Sequence, residues 1–182
     1  MLLISPFPHE ARLTLERWRS LLGPFSGGNS SVRYFKLLYR DFQNISQETW
    51  RAGLACFPRL EELLVGHTPT VRTVETVLNA TNLAPLIAVL GGERKQIGAG
   101  TGPGGIVETS TTVCAPCLRR MTWDSVNVDQ EIVDALVRMI EARGAQGVPL
   151  QQVVLQDAFL TRDEEPDRIE RRLEGFTEVT IQ

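Results

Sequence analysis

The chain has 182 residues, 42% of them hydrophobic, 23% charged and 7% aromatic, which excludes a disordered tail and permits a buried core without disulfides or a structural metal. Nineteen Lys and Arg against 22 Asp and Glu give a formal charge of -3, so a general electrostatic grip on nucleic acid or an anionic membrane is excluded as a mode of action. Three Cys and two His bound the thiol, metal and hydrolytic chemistry; the odd Cys argues against a complete disulfide set, and one intracellular domain over 1–182, cytoplasmic or nuclear, is expected.

In chain order, the apolar run at the start stops after Ile4, short of a signal-peptide core, and no later run approaches the roughly 20 residues of a spanning helix, so no membrane partner is expected. Gly23 to Ser31 reads as a loop. Val32, Phe35 and Leu37 then occupy positions one, four and six of an apolar template, L-x-x-L-x-L. Ser46 is placed to cap a helix with Trp50, Leu54 and Phe57 on one face, ended by Pro58. Leu60, Leu63 and Val65 repeat the template. Thr68-Pro69 opens a second helix carrying Val71, Val74 and Leu78. Gly91 to Thr112, rich in glycine and β-branched residues, reads as a flexible insertion. Leu118, Met121 and Trp123 fit the template again. Asp129 caps a helix in which Ile132, Leu136, Met139, Ile140 and Arg143 recur at helical spacing, stopped by Gly144, Gly147 and Pro149. Leu150, Val153 and Leu155 follow, then a short charged helix over Arg168 to Leu173 with Ile169 and Leu173 at i and i+4. Phe176, Val179 and Ile181 give a fifth copy.

At this apolar content three specified positions match by chance in about 7% of windows, so weight falls on the Pro before the first position at Pro58, Pro116 and Pro149 and on the spacing. Starts at 32, 60, 118, 150 and 176 are separated by 28, 58, 32 and 26 residues; the long gap leaves room for a further unit near 86, giving about six units. Each unit is a strand and a return helix whose apolar faces need neighbours. The expected architecture is α/β, a parallel sheet on a concave wall and helices on a convex one.

The stretches Cys56-Phe57-Pro58-Arg59-Leu60-Glu61-Glu62-Leu63, Ala115 to Trp123, and Leu136 to Arg143 running into Val148-Pro149-Leu150 resemble the leucine-rich-repeat region of fungal F-box-like proteins, of the ribonuclease-inhibitor-like class. The resemblance implies a leucine-rich-repeat solenoid acting as a protein-interaction module, the substrate-recognition part of an F-box-like ubiquitin-ligase receptor, and not an enzyme. The helical F-box opening is not found in the chain, so a Skp-type adaptor is a partner only if an F-box exists upstream. The Asn or Cys common at template position nine is replaced by Arg40, Thr68, Val126 and Ala158, which removes the asparagine ladder and its share of stability.

The alternative from another class is a small redox or zinc protein using Cys114 and Cys117. The C-x-x-C leads into a strand-like segment and no second pair exists, so buried structural thiols at a repeat turn are expected instead, with no metal or other cofactor. Gly100 to Gly105 matches G-x-G-x-x-G but no helix follows to receive a phosphate. Neither His9 nor His67 stands in a recognisable catalytic context. The run Asp163-Glu164-Glu165 is interleaved with arginines and reads as a solvated helix start with i,i+4 pairs.

With positions one, four and six inward, positions three, five and seven point outward along each strand. They are Tyr34, Lys36 and Leu38; Glu62, Leu64 and Gly66; Arg120, Thr122 and Asp124; and Gln152, Val154 and Gln156. Tyr34, Lys36, Glu62, Leu64, Arg120, Thr122, Asp124, Gln152 and Gln156 are the candidate partner-binding residues. Their mixed polarity, without clustered titratable groups, suits a protein partner better than a small substrate.

Overall fold

Strands form where apolar residues alternate. Phe35 and Leu37, Leu63 and Val65, Met121 and Trp123, and Val153 and Leu155 are each at most 1% exposed, and they lie on one face of their strands because side chains alternate. The computed structural model describes residues 2–4, 16, 20, 22–25, 30–38, 45–66, 78–92, 113–160, 166–173 and 177–181. Six strands make the main sheet: β1 (Leu2–Ile4), β2 (Tyr34–Leu38), β3 (Glu62–Gly66), β4 (Arg120–Asp124), β6 (Gln152–Gln156) and β8 (Glu178–Ile181). All neighbours are parallel and follow chain order. Among the described residues, four α-helices of defined extent lie between strands, α1 (Gln47–Ala55), α2 (Ala80–Gly91), α3 (Gln130–Ala145) and α4 (Pro166–Leu173). Right-handed crossovers between successive parallel strands put such helices on the same side. Accordingly α1 packs on α2, α2 on α3 and α3 on α4, and all four join one apolar core with the inward strand residues.

The register reproduces the template. Phe35, Leu63, Met121, Val153 and Val179 form one cross-strand row, and Leu37, Val65, Trp123, Leu155 and Ile181 another. Leu60, Leu118 and Leu150 at position one are buried beneath them. A repeated backbone pattern fixes the entry of each strand. The Arg33 carbonyl accepts from the amides of Glu61 and Glu62, that of Glu61 from Arg119 and Arg120, and that of Arg119 from Gln151 and Gln152, at 2.7 to 3.0 Å. Position two of one unit thus holds positions two and three of the next.

Helix starts are set by side-chain acceptors. Ser46 accepts from the Thr49 amide and Asp129 from the Ile132 amide, while Asn79 and Asn82 satisfy each other's amides in a reciprocal box. At the end of α3 the Gly147 amide reaches the Gly144 carbonyl and the Val148 amide the Arg143 carbonyl. With Gly147 at φ 74°, this is a Schellman stop.

Several expectations are corrected. No strand lies near residue 86: β3 pairs directly with β4, and Leu86 sits inside α2. The sixth strand is β1 instead, a three-residue run outside the repeat template. Leu78, expected at the end of a helix, bridges Val126 in parallel; residues 67–77 lie outside the described residues, as do His9, Arg40, Thr68, 93–112, 161–165 and Phe176. The absent asparagine ladder has a backbone counterpart. Leu78 accepts from Asn127 and donates to Ser125, Phe159 donates to Val126, and β5 (Asn127–Val128) pairs with β7 (Phe159–Leu160). Ser125 and Asp157, at φ 60° and 48°, turn the chain from the main sheet into this smaller ladder. No described helix is long and apolar enough to cross a membrane.

Candidate functional site

The sheet face opposite the core carries the outward positions, and the register gathers all nine candidate residues onto it. Tyr34, Glu62, Arg120, Gln152 and Glu178 form the first row. Lys36, Leu64, Thr122, Val154 and Thr180 form the middle row, and Leu38, Gly66, Asp124 and Gln156 the third. Adjacent strands stand about 4.8 Å apart, so the middle row runs for about 19 Å across the sheet.

Exposure is uneven. Arg120 and Gln156 are exposed and Tyr34, Lys36, Glu62, Leu64, Asp124 and Gln152 are half-buried, whereas Thr122 and Val154 keep only 8% and 5% of their surface. Thr122 is therefore a floor residue with little to offer a partner. Gly66 leaves no room either: a Cβ there would stand 2.8 Å from the Asp124 Cβ and 3.3 Å from Leu38 Cδ2. Glu178 and Thr180 complete the first two rows and were not among the candidates. The fifth template copy, Phe176, Val179 and Ile181, already placed them between inward positions.

Charge is mixed along the strand entries. Arg33 pairs with Glu61 at 3.3 Å. Burial and then the Glu62 carboxylate push the Tyr34 hydroxyl above its ordinary value of 10.0, against the pull of Arg120. Glu62, Arg119, Arg120, Gln152 and Glu178 line an open cleft of about 280 Å³ at this edge. A second open depression, about 590 Å³, lies on the helical side between α2 and α3, walled largely by alanines such as Ala84, Ala88, Ala135 and Ala142. Among the described residues no group of three or more His, Cys, Asp or Glu is placed to hold a metal.

The cysteines do not sit as expected. Cys117 is exposed, Cys114 is half-buried and Cys56 is half-buried with its thiol on the Ala52 carbonyl. Arg143 is the side chain that pattern reading placed on the buried stripe without finding its partners. It is fully buried, and its guanidinium donates to the carbonyls of Leu90, Cys114, Ala115 and Leu118 at 3.1 to 3.3 Å. Burial lowers its pKa to about 10, so it remains charged at neutral pH. One cation thereby ties the end of α2, the turn before β4 and the last turn of α3.

No protein-family model matches the chain, and no curated protein does. Among solved structures, the tropomodulin C-terminal domain of Caenorhabditis elegans is similar at 8% identity and a TM-score of 0.47, over 90% of this chain and 82% of that one. At that level the likeness carries no argument about what this chain does.

Proposed function

We propose that the chain is a leucine-rich-repeat solenoid that binds a protein partner on the outer face of its sheet. The observation that carries this reading is the in-register alignment of the outward positions into three rows across successive strands. Tyr34 and Arg120 supply the residue types that dominate binding energy at protein interfaces, and the polar first row flanks the more apolar middle one in the manner of a rim. The finer reading, the substrate-recognition part of an F-box-like ubiquitin-ligase receptor inside the cell, rests on the sequence resemblance alone.

Photo-crosslinking tests the reading. A benzophenone amino acid placed at Tyr34 or Gln156 is expected to capture a discrete protein in cells, while the same group at Ala84 or Arg138 on the helical side captures none. Adducts confined to the helical positions would overturn it. For the finer reading, residues 1–182 are expected to bind no Skp-type adaptor unless an F-box is fused upstream; adaptor capture by the chain alone would contradict that assignment.

A further inference from the structure

Cys114 and Cys117 flank a sharply folded segment. The chain bends at Cys114 and Ala115, and a turn closes with the Leu118 amide on the Ala115 carbonyl at 3.1 Å. Ala115 holds φ 51°, a left-handed conformation that non-glycine residues adopt only when the surroundings impose it. Here the constraint is Arg143, whose guanidinium holds the carbonyls of Cys114, Ala115 and Leu118 together. Two guanidinium groups also act on the Cys114 thiol. Arg51 from α1 and Arg143 both lie within electrostatic range of it. Cys117 is open to solvent.

We propose that Cys114 and Cys117 are a reversible dithiol–disulfide pair, oxidised by exchange with a low-molecular-weight disulfide such as glutathione disulfide. The exposed Cys117 Sγ, as thiolate, attacks one glutathione sulfur; the S–S bond of the oxidant breaks and one glutathione thiolate leaves. Cys114 Sγ, as thiolate, then attacks Cys117 Sγ, forming the intramolecular bond and expelling the second glutathione thiolate. Two protein thiols are oxidised, one external disulfide is reduced to two thiols, and the two protons lost from the cysteines end on the leaving groups. Burial raises the Cys114 pKa, with Arg51 and Arg143 pulling it down. Exposure makes Cys117 the entry thiol and the half-buried Cys114 the resolving one, the nearby cations offsetting only part of the cost that burial puts on ionising Cys114. Because the turn is already folded round Arg143, ring closure orders little further chain.

The test is equilibration of the intact chain in glutathione redox buffers, followed by thiol counting and mass mapping. The free thiols are expected to fall from three to one, with Cys56 the survivor and a Cys114–Cys117 bond in the digest. The closure equilibrium in the folded chain is expected to exceed that of the same chain in urea by about tenfold or more. Cys114→Ser is expected to accumulate a glutathione adduct on Cys117. A persistent Cys117 adduct in the native sequence, closure no better than in urea, or a Cys114→Ser chain that takes up no glutathione would each overturn the proposal.

Discussion

Replacing Arg143 by Met keeps volume and removes the donors that four carbonyls share. The loss is expected to be about 3 kcal/mol or more in urea unfolding, since buried acceptors would be left without partners; a loss below about 1 kcal/mol would show that the clasp is incidental. Two glycines separate crowding from backbone conformation. Gly147 has φ 74° and open space around a notional Cβ, so Gly147→Ala is expected to cost about 1 kcal/mol through the left-handed conformation alone. Gly66 sits against Asp124, so Gly66→Ala is expected to cost about 1–3 kcal/mol by overpacking. Pairing it with Asp124→Gly is expected to restore part of that cost, and strict additivity of the two changes would exclude the contact as its cause. Arg143 shows what a sequence can reveal at this scale. Its helical spacing with Ile132, Leu136 and Met139 announced a buried side chain, but its partners lie 25 to 53 residues away in sequence and no local pattern contains them.

Among the elements, α3 was the most legible because Asp129, its apolar stripe and the Gly147 stop all act within the helix and its immediate flanks; Gly144, read as part of the stop, lies inside the helix, which runs on to Ala145. The buried stripe, Ile132, Leu136, Met139, Ile140 and Arg143, is observed, with Val133 buried beside it. The helix α2 was not legible. Its stretch Leu83 to Leu90 is apolar almost throughout and contains Pro85, so it lacks both a polar face and a regular period; tertiary burial and the Asn79–Asn82 box define it instead. The strand β1 has three residues, too few for alternation to register. The acidic run 163–165, read as pairing along the helix, lies outside the described residues; the observed tie of α4 is sideways, Arg172 reaching Asp134 on α3, which Gln130 also supports. The Arg172 hydrogen bond, its charge and Gln130 hold Asp134 below its ordinary 3.8. A lowered acid pKa stabilises the fold above the unfolded value and loses that effect as pH falls through the folded one. Asp134→Asn is therefore expected to be less stable than the native chain at pH 7, with the gap closing below pH 3.8; a gap independent of pH would remove the ion pair as its source.

For the whole molecule, the consequence of sequential parallel strands is that one core serves every unit. Leu150 is 2% exposed at position one, and Leu150→Asp is expected to unfold the array as a single transition, because a buried carboxylate there has no partner. Loss confined to β6 and β8, with the remainder folded, would show that the units are independent. The outer face was legible as alternation, since period two assigns every second residue outward once the inward set is known. What alternation does not contain is depth: Thr122 and Val154 stand at outward positions and are nonetheless buried.

The partner-binding proposal depends on strand order and register, and nuclear Overhauser contacts between backbone protons read both directly. The expected pattern joins Lys36 to Leu64, Leu64 to Thr122, Thr122 to Val154 and Val154 to Thr180 across parallel neighbours. Antiparallel contacts, a strand between β3 and β4, or a register shifted by one residue would contradict it, since each would break up the three rows on which the proposed binding face is built.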